Sequence, residues 1–140
     1  EAVTKASELA LEKGARRAIP LNTSGPFHTE LLASASNELK EKFVSVNFNE
    51  MQVPVIFNSS AKELESGVSI AQMLEKQVMS SVYFEDSIRY MLENGVDTII
   101  EIGPGKVLSG FIRKIDKTIK TYQVEDQASL EKTLAGLKGE

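Results

Sequence analysis

Hydrophobic and polar positions along the chain recur with two different periods, and the switches between them mark out the elements. Over residues 1–13, Val3, Ala6, Leu9 and Ala10 recur at helical spacing, which predicts an amphipathic helix stopped by Gly14 just past its end. Residues 15–21 read as a short strand ending at Pro20. Asn22-Thr23-Ser24-Gly25-Pro26 reads as a polar turn, with Pro26 in the first turn of a helix that reaches about Phe43. Leu31, Leu32, Ala35, Leu39 and Phe43 form the buried stripe of that helix.

Val53-Pro54-Val55-Ile56-Phe57 is an apolar, β-rich run punctuated by Asn58-Ser59-Ser60, and residues 62–68 read as a surface loop. Helices are predicted over 69–78 and 84–93, the second closed by Asn94-Gly95. A strand over 96–102, a helix over 107–115, a strand over 120–124 and a last helix over 127–137 through Leu130, Leu134 and Leu137 complete the series. Strand and helix patterns alternate after Asn49, which predicts an α/β layer with mainly parallel pairing. Three or four strands are visible where a doubly wound sheet usually has five or more, so the pattern reads as part of a larger sheet.

Composition narrows the function classes. The 140 residues carry 16 basic and 20 acidic side chains, for a net charge of −4. That balance argues against a nucleic-acid binder, which usually presents a net basic field. With 41% hydrophobic and 26% charged residues the chain reads as an ordinary globular domain. No apolar run approaches the roughly 20 residues that span a bilayer, so no membrane segment is expected. The absence of cysteine excludes a disulfide framework, a thiolate metal site and a cysteine nucleophile. Glu1-Ala2-Val3-Thr4 opens on a helical pattern rather than a basic-then-apolar leader, and the missing initiator Met reads as a fragment or processed chain.

Candidate chemistry is sparse. The single histidine, His28, follows a Ser-Gly-Pro-Phe turn at the expected start of a helix, where the dipole disfavours an imidazolium and so suits a general base. The alternative is a histidine that merely decorates an exposed first turn. Gly103-Pro104-Gly105-Lys106 lies between a strand and a helix, but Ile100 and Val107 break the phosphate-binding loop pattern and Leu108 breaks the dinucleotide fingerprint. Glu125 lies at about the right distance for a ribose contact, yet a tight strand-to-helix turn accounts better for the glycines. Arg16 and Arg17 form one basic pair, and Arg113, Lys114, Lys117 and Lys120 a second cluster, fit either for docking an anionic partner or for a solvated helix face. No carboxylate pair or metal-ligand spacing is present, and no Gly-x-Ser-x-Gly elbow exposes a nucleophilic serine.

Taken jointly, four segments carry a resemblance. Ser24-Gly25-Pro26-Phe27-His28, Val53-Pro54-Val55 with Asn58, Lys76-Gln77, and Glu101-Ile102-Gly103-Pro104-Gly105-Lys106-Val107-Leu108 occur in the order seen in the malonyl-CoA:acyl carrier protein transacylases of bacterial fatty-acid synthesis. The chain resembles the C-terminal half of that family. The resemblance implies an α/β fold, part of an α/β-hydrolase-like large domain over residues 22–140, preceded over 1–21 by the tail of a ferredoxin-like small subdomain. It implies a cytoplasmic enzyme that takes malonyl-CoA as substrate and acyl carrier protein as partner, with no separate cofactor and no metal. His28 resembles the family's catalytic base, Gln77 the residue whose backbone carbonyl orients that ring, and Asn58 an asparagine near the site. Phe27 resembles the position that selects malonyl over a branched acyl group. Arg16, Arg17, Arg113 and Lys114 match basic positions that meet the acidic carrier protein. The family's Gly-His-Ser-Leu-Gly nucleophile segment, its arginine for the malonyl carboxylate and its oxyanion-hole glutamine loop are absent, so the missing N-terminal half would supply them. The rival expectation from a different class is a non-catalytic α/β module that docks an anionic protein.

Overall fold

The computed structural model describes residues 1–139. Its elements in chain order are α1 (Ala2–Glu12), a 3-10 turn (Glu30–Leu32), α2 (Ala33–Phe43), α3 (Ile70–Met79), α4 (Phe84–Glu93), β1 (Thr98–Ile102), α5 (Val107–Ile115), β2 (Lys120–Val124) and α6 (Gln127–Lys138). Every helix and both late strands foreseen from periodicity are present. Gly14, at φ 94°, ends α1 in the left-handed region that glycine enters without steric cost. Ser69 starts α3 with a capping box in which its hydroxyl accepts from Gln72 N–H and the Gln72 side chain accepts from Ser69 N–H.

Four expectations need correction. Residues 15–21 form no strand among the described residues, because extended backbone becomes a strand only by pairing, and Pro20 lacks an N–H to offer. Residues 53–57 fail in the same way around Pro54, and only Phe57 pairs, donating its N–H to the Lys62 carbonyl at 3.0 Å. Among the described residues the sheet accordingly has two strands rather than three or four. Finally, the helix expected from Pro26 begins with a 3-10 turn at Glu30, because His28 sits at φ 62° and interrupts any helix before it.

The core lies around a parallel β1–α5–β2 unit. Thr98 pairs opposite Lys120 and the register runs unbroken to Ile102 opposite Val124. Side chains alternate across a strand, so Ile99 and Glu101 share one face and Ile100 and Ile102 the other. Ile99 packs with Phe84, Met91, Leu92 and Ile115 around the buried trio Ile88, Ile112 and Ile119. Each such isoleucine contributes about 1.5–3 kcal/mol by leaving water. On the opposite face, α6 covers Tyr122: a Cβ placed on Gly136 would lie 2.6 Å from the tyrosine ring. A second, smaller packing unit joins α2 to α3, where buried Ser36 donates its hydroxyl to the Glu75 carbonyl at 3.0 Å.

Candidate active site

The loop before α2 brings a histidine to the end of α3. His28 adopts φ 62°, a conformation that costs an L-residue about 1–2 kcal/mol and is sparsely occupied outside glycine. Thr29 Oγ1 closes the turn by donating to the Pro26 carbonyl at 2.7 Å. The Ser36–Glu75 bond and the longer Lys40–Glu75 ion pair, at 3.8 Å, tie α2 to the C-terminal half of α3. The combined result places His28 Nδ1 3.2 Å from the backbone oxygen of Gln77. Gln77 lies in the last turn of α3, where carbonyls have no intrahelical donor; its oxygen also accepts from Ser80 N–H at 3.3 Å.

A carbonyl oxygen only accepts, so the neutral ring must carry its proton on Nδ1 and its lone pair on Nε2. That is the tautomer a general base needs. The expected setting at a helix start is corrected: His28 precedes the first helical turn, and its ring meets a carbonyl in the last turn of α3 instead of the amides of a helix N-terminus.

The remaining candidates are dispersed. Phe27 is exposed and its ring lies over Gly25, where a Cβ would meet Phe27 Cζ at 3.4 Å. Asn58 is half-buried and its backbone carbonyl accepts from Tyr83 N–H at 2.9 Å, which anchors the start of α4. Arg16 and Arg17 lie exposed in the segment after α1. On α5, Arg113 Nε donates to Thr121 Oγ1 at 3.0 Å, and Lys114 Nζ stands 5.9 Å from the Phe111 ring centroid. None of these four cations takes part in the ion pairs of the described residues. Arg113 also lines a groove of about 710 Å³ with Lys106, Tyr122 and Lys132, and His28 and Gln77 are not part of it.

The Gly-Pro-Gly turn is filled by carboxylates. Glu101 accepts from Ser109 Oγ at 2.6 Å, Ser109 N–H at 2.8 Å and Leu108 N–H at 3.1 Å. The Ser109 hydroxyl is the largest reason its carboxyl is held below the usual range, and the Ser109 and Leu108 amides act in the same direction. Glu125 accepts from Gly105 N–H at 2.9 Å. The Gly105, Leu108 and Ser109 amides are thus bound by the protein's own carboxylates, and the segment forms a strand-to-helix turn between β1 and α5. Sequence reasoning missed both this role of Glu101 and the anchoring role of Ser36. A carboxylate two residues before the Gly-Pro-Gly turn was the available signal for the first, and nothing local announced the second. Among the described residues no group of three His, Asp or Glu could hold a metal ion, and no helix is long and apolar enough to cross a membrane.

No family model matches the chain. It is 46% identical over 99% of its length to the malonyl CoA-acyl carrier protein transacylase of Bacillus subtilis, covering 44% of that protein. It superposes with a TM-score of 0.90 and 41% identity on the malonyl CoA-acyl carrier protein transacylase of Clostridium perfringens, over 99% of this chain and 43% of that one. A solved type II PKS acyl-carrier protein in complex with its malonyl-transacylase also matches, with a TM-score of 0.85 and 32% identity over 99% of this chain and 44% of that one. The chain is thus a homologue of malonyl-CoA:acyl carrier protein transacylases along nearly its whole length, and it spans under half the length of the relatives it matches.

Proposed function

We propose that this chain is the C-terminal part of an acyltransferase that moves a malonyl group from coenzyme A to the phosphopantetheine thiol of an acyl carrier protein. The observation that carries the reading is the His28–Gln77 contact, which fixes the ring with its basic Nε2 available. In the reaction, Nε2 takes the proton of a serine hydroxyl while the serine oxygen attacks the malonyl thioester carbonyl. The tetrahedral intermediate expels the coenzyme A thiolate, which takes the proton back from the imidazolium and leaves a malonyl-seryl ester. The carrier-protein thiol then gives its proton to Nε2, attacks the ester, and the departing serine oxygen recovers the proton. The Gln77 carbonyl keeps the Nδ1 proton in place throughout and stabilises the transient imidazolium. The serine, the arginine for the malonyl carboxylate and the oxyanion-hole donors come from the part of the protein outside this chain.

The other assignments follow the same reading. Phe27 narrows the acyl pocket against a branched methylmalonyl group, and Asn58 contributes near the site. Arg16, Arg17, Arg113 and Lys114 receive the acidic carrier protein, a role supported by their exposure outside ion pairs. Residues 1–21 belong to a ferredoxin-like small subdomain and residues 22–140 to an α/β-hydrolase-like domain. In support, none of the residues of α1 is buried against the rest of the chain. The test is malonyl transfer by the chain fused, in the relatives' own order, to the unmatched part of the Bacillus subtilis relative. With His28→Ala, transfer falls by about 10²–10⁴-fold. Near-normal transfer by that variant would remove His28 from the mechanism.

A further inference from the structure

The end of α3 is closed by a serine that leaves one carbonyl to a donor from elsewhere in the chain. A helix has no internal donors for its last four carbonyls, which in α3 are those of Lys76, Gln77, Val78 and Met79. Were α3 longer by two residues, Ser80 N–H would bond the Lys76 carbonyl and Ser81 N–H the Gln77 carbonyl. Among the described residues neither bond forms. Ser80 is extended, at φ −103° and ψ 150°, and its N–H reaches the Gln77 carbonyl at 3.3 Å. Its hydroxyl takes the place of that N–H on Lys76, donating to the carbonyl at 2.8 Å. A serine bonded in this way to the carbonyl four residues back competes with helix continuation.

The Gln77 oxygen is therefore not covered by a further helical turn, and His28 Nδ1 lies 3.2 Å from it. Two positions earlier, the Glu75 carbonyl takes the buried Ser36 hydroxyl at 3.0 Å. Three successive carbonyls, of Glu75, Lys76 and Gln77, thus meet side chains of Ser36, Ser80 and His28. Ser36 fixes where the end of α3 lies against α2, and Ser80 fixes which of its carbonyls stays open.

We propose that Ser80 is a positioning residue for the His28 base: it ends α3 before Ser81 can donate to Gln77, and so leaves the Gln77 carbonyl to hold the imidazole with its proton on Nδ1. The purpose of that arrangement rests on the acyltransferase reading, but the state of the ring can be measured without it.

His28 is the sole histidine of the chain, so imidazole nitrogen NMR resonances report its tautomer in alkaline solution, above the ordinary imidazole pKa of about 6.5. Ser80→Ala removes the hydroxyl and supplies the strongest helix former. The expected result is that the Nδ1–H form of the parent gives way to a mixture with the Nε2–H form. Two variants restore the parent spectrum. Ser80→Thr keeps a hydroxyl that can bond the same carbonyl. Ser81→Pro, added to Ser80→Ala, removes the N–H that would reach Gln77 and disfavours helix at residue 80. In the fused protein, Ser80→Ala lowers kcat for malonyl transfer by about tenfold, short of the loss expected without the base, and leaves KM for malonyl-CoA within about twofold. The parent's tautomer in Ser80→Ala, with or without a lower melting temperature, would overturn the inference. So would a mixture that persists in either rescue variant, or an unchanged kcat beside a changed tautomer. The expected tautomer changes in the chain, with no malonyl transfer by the unmutated fused protein, would instead overturn the acyltransferase reading and leave the role of Ser80 standing.

Discussion

At the scale of single residues, His28 separates chemistry from stability. Its left-handed backbone costs about 1–2 kcal/mol, while its hydrogen bond to Gln77 contributes about 0.5–1.5 kcal/mol. His28→Gly removes both, so we expect thermal stability of the fused protein to change by no more than about 1 kcal/mol while malonyl transfer collapses. A matching drop in both would mean that the strained turn serves the fold and not the reaction. Glu101 makes an opposite case, structural and not catalytic. Its folded-state pKa lies below its unfolded value, so its contribution is present above the ordinary carboxylate range and disappears as pH falls through the lowered value. Glu101→Gln is therefore less stable than the parent near pH 7, and the gap in melting temperature closes in acid, below about pH 4. A gap that stays constant with pH would show that the charge of Glu101 is irrelevant to its cap.

Packing at the scale of elements decides what periodicity left open. Gly136→Ala would ordinarily favour a helix by about 1 kcal/mol. Here the new methyl meets the Tyr122 ring at 2.6 Å, so α6 must shift and we expect a net loss of about 1–3 kcal/mol by chemical denaturation. Ile88→Ala, at a fully buried position of the core trio, costs about 2–5 kcal/mol. The helices and the two late strands were legible because each satisfies its hydrogen bonds within itself or with a near neighbour in sequence. Ala15–Leu21 and Val53–Phe57 have strand-like composition too, but composition does not supply a partner, and both contain a proline that cannot donate. The motif Ser24–His28 was legible as a turn, but its left-handed histidine was not, so the helix was expected too early. The approach of His28 to Gln77 spans 49 positions and depends on the seating of α2 against α3; only the family resemblance, not residue patterning, pointed to it.

At the scale of the whole molecule, the chain spans under half the length of the relatives it matches. On the proposed reading, the net charge of −4 would repel an acidic carrier protein, so docking would depend on where the cations are and not on their sum. Reversing Arg113 and Lys114 to glutamate in the fused protein should raise KM for the carrier protein by about tenfold or more at low salt, and leave the rate of malonyl loading from coenzyme A unchanged. Equal loss in both half-reactions would place these residues in the fold or the acyl site. The central claim, that His28 serves a serine lying outside these residues, is tested most directly by intact-mass spectrometry after incubation with malonyl-CoA. The chain alone should gain no mass, the fused protein should gain one malonyl ester, and His28→Ala in the fusion should abolish it. A malonyl adduct on the chain alone, or none on the fusion, would contradict the account.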